Sequence, residues 1–220
     1  MVTSDTFVAD IEFKNQESFR GLLASGYLPA LAADGATLAD MLRLESKLAI
    51  ESLEAAAIWI VDSESLEMKI LLGTQCGAYA RQFHQLQDRL SALGLAPGSY
   101  DPRQGGYSKL FAFLRSMQTS EERAAAGLLT LGGAAVARLE ALLSVCEAKG
   151  DADTATLIRS DLLPDERRRV DQGRDKLVFL TTAEDSQARA RRAIYKTVEL
   201  LGEIFEPGAL RRAFGRGTRK

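Results

Sequence analysis

The sequence is poor in the residue types that usually announce chemistry. Two cysteines among 220 residues, Cys76 and Cys146, make no disulfide framework and have no ligand spacing, so they read as reduced thiols of a cytoplasmic protein. A single histidine, His84, cannot supply a multi-imidazole metal site. There is no Ser-His-Asp, Cys-His or glycine-rich nucleotide motif. Sustained period-2 alternation is missing, which argues against a sheet, and no short-period repeat is present. The start Met1-Val2-Thr3-Ser4-Asp5 lacks the charged end and apolar run of a secretion signal. No run of apolar residues reads as long enough to span a bilayer. A net charge of -2 gives no overall basic field to recruit nucleic acid.

What the chain does have is helical pattern. Residues 1–36 read as a weakly patterned extension, with a short helix from Glu17 to Ala24 stopped by Gly26. Pro29, Asp34 and Gly35 then mark a loop. Thr37 and Asp40 form a capping box that opens a helix to Val61, apolar on more than one face. A turn at Asp62-Ser63-Glu64 returns the chain through a second helix, Ser65 to Leu93, ended by Gly94. Residues 95–118 hold three glycines and two of the five prolines, with a brief helix over Lys109 to Met117; the length suits a crossover. Thr119 and Glu122 cap a third long helix to Ala148, and Lys149-Gly150-Asp151 turns into a fourth, ending near Thr181. Pro164 lies inside the fourth and predicts a kink. Thr182 and Asp185 cap a fifth helix ending at Glu206. The expectation is an all-α four-helix bundle over 37–206: two antiparallel hairpins joined by a long crossover, plus a C-terminal fifth helix.

One stretch carries a family likeness: Asp161-Leu-Leu-Pro-Asp165-Glu166-Arg-Arg-Arg169-Val-Asp-Gln-Gly173. Together with Gly150-Asp151, Thr154 and Ile158, and with Leu110 to Arg115, Thr119 and Glu122-Arg123, it resembles the ferritin-like superfamily. The tRNA-modifying hydroxylase-like branch comes nearest. The resemblance implies two irons held by one Glu from each of two helices and Glu-x-x-His from each of the others. Here the ligand set is degenerate. Glu166 keeps the Glu position, but Arg169 stands where His belongs. In Arg81-Gln82-Phe83-His84 the His remains and the Glu is Arg. Glu51 fits the first helix, with Glu45 and Glu54 competing. On the third helix the carboxylate position falls at Gly132 or Gly133.

Those substitutions imply a physical replacement, in which guanidinium groups supply the positive charge of the lost metal. The expected interior network is Glu51, Arg81, His84, Glu166 and Arg169. Gly132 and Gly133 would leave a small cavity or admit another backbone. A hairpin turn centred on Gly150 places Gly133 opposite Glu166 and Glu140 opposite Arg159. The function expected is therefore a binding bundle without a cofactor, holding a small molecule in its core or a partner: a second copy or an active ferritin-like homologue. The alternative is an iron-dependent hydroxylase using Glu51, His84 and Glu166. Several plainer readings stand beside these. Arg81, Arg167, Arg168 and Arg169 could be solvated charges, and Glu51 and Glu54 exposed helix formers. Trp59, Phe111, Phe113, Tyr195 and Phe205 read as packing residues. The loop Gly98 to Tyr107 could be a lid. The fifth helix could be a dimer face. The tail from Arg211, with Arg212, Arg216, Arg219 and Lys220, reads as a solvated end, with RNA contact the sharper alternative.

Overall fold

Thr3 begins the first helix, α1 (Ser4–Leu22), its side chain accepting from the Thr6 N–H. A π-helical turn, Leu23–Tyr27, follows. In this computed structural model residues 2–27, 37–96 and 100–205 are described, and they form helices with no strand among them. The remaining helices are α2 (Leu38–Asp62), α3 (Leu66–Ala92), the short α4 (Lys109–Arg115), α5 (Ser120–Lys149), α6 (152–180) and α7 (Glu184–Phe205).

Two of the three predicted N-terminal caps are present. At Thr37 the hydroxyl accepts from the Asp40 N–H at 3.3 Å, while the Asp40 carboxylate accepts from the Thr37 N–H at 2.9 Å. Thr119 and Glu122 do the same at the start of α5. Gly150 turns α5 into α6 with φ 72°, a backbone region that favours glycine. At α7 the cap differs from expectation: Ser186, rather than Thr182 with Asp185, accepts from the Ala183 N–H.

Two corrections concern the helices themselves. Within the N-terminal extension, the described residues form a long helix, Ser4–Leu22, rather than the short Glu17–Ala24 segment. Phe7, Val8, Ile11, Asn15 and Phe19 bury one stripe of it against α5, α6 and α7. The kink expected at Pro164 is a π-helical segment, Ile158–Leu162, just before it. There the Leu163 N–H bonds five residues back, to the Ile158 carbonyl. The wider turn accommodates a proline that would clash with the carbonyl four residues earlier in an α-helix. A third π segment, Ala124–Thr130, is built into α5.

Side-chain contacts fix the connectivity. The Arg123 guanidinium, at the start of α5, donates to Ser63 Oγ in the α2–α3 turn at 3.3 Å and to the Met117 carbonyl at 3.0 Å. Arg89, near the end of α3, donates to Asp151 at 2.7 Å and Thr154 at 2.6 Å, at the α5–α6 turn. So α3 ends at the opposite end of the molecule from where α5 begins, and residues 93–119 must run its length. Their described part from residue 100 onward lies as a strap along α2. Tyr100 Oη donates to the Arg43 carbonyl, Lys47 Nζ to the Gly106 carbonyl at 2.6 Å, and Trp59 Nε1 to the Leu114 carbonyl at 3.0 Å. The loop expected to be a lid is, in its described part, this strap.

The core lies between the α2–α3 and α5–α6 hairpins. Close approach there depends on glycine. A Cβ on Gly127 would sit 2.5 Å from the Trp59 ring, and one on Gly173 would sit 2.8 Å from the Leu129 backbone nitrogen. Contrary to the sequence expectation, α5 is long and apolar enough to cross a membrane by length and composition, though half of that stretch is buried within this fold. The apolar face of α7, including Ala190, Ile194, Leu201 and Phe205, packs inward on its own chain. The expected basic tail lies outside the described residues.

Candidate functional site

The four helices of the two hairpins send polar side chains to one interior point. A cavity of about 30 Å³ there is lined by Glu45 and Glu51 of α2, Tyr79 and Gln82 of α3, Arg138 of α5, and Glu166 and Arg169 of α6. That is room for about one water molecule.

Arg169 is the centre of the arrangement. It is 1% exposed, and its partner Glu166 is 2% exposed. Its Nη1 donates to the Glu166 carboxylate one helical turn back, and its Nε donates to Gln75 Oε1 at 2.6 Å. The guanidinium lies 3.8 Å above the Tyr79 ring. Among the described residues its Nη2 has no hydrogen-bond partner. Burial opposes the charge on Arg169, but Glu166, Tyr79 and Asp165 together outweigh it and hold the pKa above the usual arginine value. Burial pushes the Tyr79 hydroxyl up, so the ring stays neutral beneath the cation.

Glu45 is held by Arg138 in a two-point pair, Nε to Oε1 at 2.8 Å and Nη2 to Oε2 at 3.0 Å. Glu51 accepts from the Ser108 N–H at 2.8 Å and Ser108 Oγ at 2.5 Å, with Lys47 Nζ 3.7 Å away. Each interior carboxylate therefore has its own cation. A second cavity, about 230 Å³, opens on the other side of Glu51 beneath the strap, bordered by Lys47, Tyr107 and Glu203.

The sequence expectations divide cleanly. Glu51, Glu166 and Arg169 face the interior as anticipated. Arg81 and His84 do not: both lie on the exposed outer face of α3. Arg81 is 3.6 Å from Asp165, and His84 meets the edge of the Phe83 ring. The inward positions of α3 that carry polar atoms include Gln75, Tyr79 and Gln82. Neighbouring helical residues point about 100° apart, so a one-residue error in facing moves a side chain from core to solvent. Of the competing first-helix carboxylates, Glu45 and Glu51 both face in, and Glu54 does not line the cavity.

Gly132 and Gly133 have separate jobs. A Cβ on Gly132 would meet Val170 Cγ2 at 3.0 Å, so glycine there admits α6. Gly133 faces Phe19 of α1 instead. The hairpin level is two to three residues away from expectation, because Gly132 rather than Gly133 meets α6 and lies at Arg169 and Val170. Glu140 accordingly pairs with Arg167, and Arg159 pairs with Glu147. Arg138 was missed by sequence reasoning, although it lies on the stripe of Leu131, Ala135 and Leu142. A lone cation on the apolar face of α5 was the available signal.

No group of three or more His, Cys, Asp or Glu side chains is placed to hold a metal among the described residues. No family model, curated protein or solved structure matches the chain.

Proposed function

We propose that this is a ferritin-like bundle whose interior carboxylates are balanced by arginine instead of iron, and that it binds a ligand instead of oxidising one. The observation that carries the proposal is the pair of buried salt bridges, Arg169–Glu166 and Arg138–Glu45, at one small cavity between four long helices. The crossover between hairpins supports the same reading, since ferritin-like folds share one long crossover. The donors do not suit two irons. Two dications would have to share about 30 Å³ with two guanidinium groups and displace both from their carboxylates. The mononuclear alternative needs Glu51, His84 and Glu166 around one ion, and His84 is on the outer face.

Elemental analysis of protein expressed in iron-supplemented medium tests this. The expected result is iron far below one atom per chain and no di-iron optical bands. Near-stoichiometric iron that survives dialysis overturns the proposal. A protein partner is the second reading, favoured by the exposed apolar side chains Val61, Leu66, Ile70 and Phe179. Light scattering that shows a single chain at working concentration would remove a second copy from that reading.

A further inference from the structure

The interior cavity is too small for an organic ligand, but a groove of about 550 Å³ lies between α1 and the α5–α6 hairpin. That is the size of a small-molecule site. Phe19, Leu129, Val136, Ala137 and Val170 give it an apolar lining, and Gly133, which has no Cβ, lets the Phe19 ring pack close against α5. Two contacts clamp one end. Asn15 Nδ2 donates to Thr130 Oγ1 at 3.1 Å, and Arg174 Nε donates to Glu12 at 2.8 Å. Past that clamp, Gln16, Phe19 and Arg20 of α1 and Leu23 of the π-helical turn form one wall.

The charges around the groove are balanced and already engaged. Glu12, Glu140 and Asp171 face Arg20, Arg167 and Arg174. Arg174 holds both Glu12 and Asp171, Arg167 holds Glu140, and Arg20 holds Glu17 on its own helix. An ionic ligand would have to break one of these pairs and would meet a lining with no charge to spare. The polar group the groove does offer deep inside is the Asn15 amide, 5% exposed. We propose that the groove binds an uncharged, mainly apolar small molecule with a hydrogen-bonding group for the Asn15 amide. This rests on the reading of the chain as a binding protein, while the site itself is argued from the groove and not from the interior salt bridges.

Two fluorescent probes that share one aromatic skeleton test the proposal on the full-length chain. N-phenyl-1-naphthylamine is uncharged; 1-anilinonaphthalene-8-sulfonate is its anionic counterpart. The uncharged probe is expected to bind saturably, one per chain, and the sulfonate at least about tenfold more weakly. Ala137→Trp and, separately, Val136→Trp should abolish binding of the uncharged probe while leaving the helical circular dichroism intact. Absence of saturable binding by the wild-type chain, equal binding of the sulfonate, or retained binding in both folded variants would each overturn the proposal. The wild-type comparison is decisive even where a tryptophan variant fails to fold. Iron in the bundle together with selective probe binding would sink the interior reading and leave the groove. Iron-free protein that ignores the probe would do the reverse.

Discussion

Arg169 carries more of the interior than any other side chain: it closes the Glu166 charge, bonds Gln75 and covers Tyr79. Arg169→Met removes the cation and leaves Glu166 buried. Breaking such a pair from one side costs about 3–5 kcal/mol. The double variant Arg169→Met with Glu166→Leu removes both charges and should recover much of that loss, because the desolvation of both ions goes with them. Urea unfolding of the two proteins measures the difference. Arg81→Ala, on the exposed face, should change stability by no more than about 0.5 kcal/mol. These outcomes also say why the site was only half legible. Glu166 and Arg169 are one helical turn apart and had to share a face, so one correct facing placed both. Arg81 and His84 also share a face, and there the facing was wrong by one residue. Arg138 was legible only to a search for cations, and the likeness directed attention to carboxylates.

At the scale of single helices, the glycines sort by what they touch. Gly173 lies against the α5 backbone, where an added Cβ would come within 2.9 Å of Leu128 C. Because backbone cannot swing aside as a side chain can, Gly173→Ala should destabilise by about 1–3 kcal/mol. Gly73, mid-helix in α3, has nothing within 4 Å of such a carbon. Gly73→Ala should therefore stabilise by about 0.5–1 kcal/mol, through helix propensity and the unfolded chain. Opposite shifts in thermal midpoint check both. Helix starts were readable because a cap is a local event: Thr37 with Asp40 and Thr119 with Glu122 need only three residues of spacing. The stripe of α1 was not readable. Asn15 interrupts its apolar side, and Phe13 is 63% exposed on the other. The π segments were invisible for a different reason, since packing partners decide them and local propensity does not.

Across the whole molecule, two end clamps make the crossover topology a closed unit. Arg123 ties the start of α5 to the α2–α3 turn, and Arg89 ties the end of α3 to the α5–α6 turn. The second clamp has a titratable half. Burial works against the Asp151 charge, but hydrogen bonds from the Thr154 N–H and hydroxyl and from Arg89 outweigh it and hold the carboxyl below its usual range. A carboxylate whose folded-state pKa is depressed stabilises the fold fully above its unfolded value, near 3.9. That contribution disappears as pH falls through the lower, folded-state value. Asp151→Asn should thus lose about 1.5–3 kcal/mol at neutral pH, where a charged hydrogen bond is broken. Its stability should converge on that of the wild type only below about pH 3.9. Arg89→Met should show the same pH-dependent gap, and combining the two substitutions should add little. If the gap instead stays constant down to the acid transition, Asp151 acts only as a helix cap, and the two hairpins are held at that end by apolar packing alone.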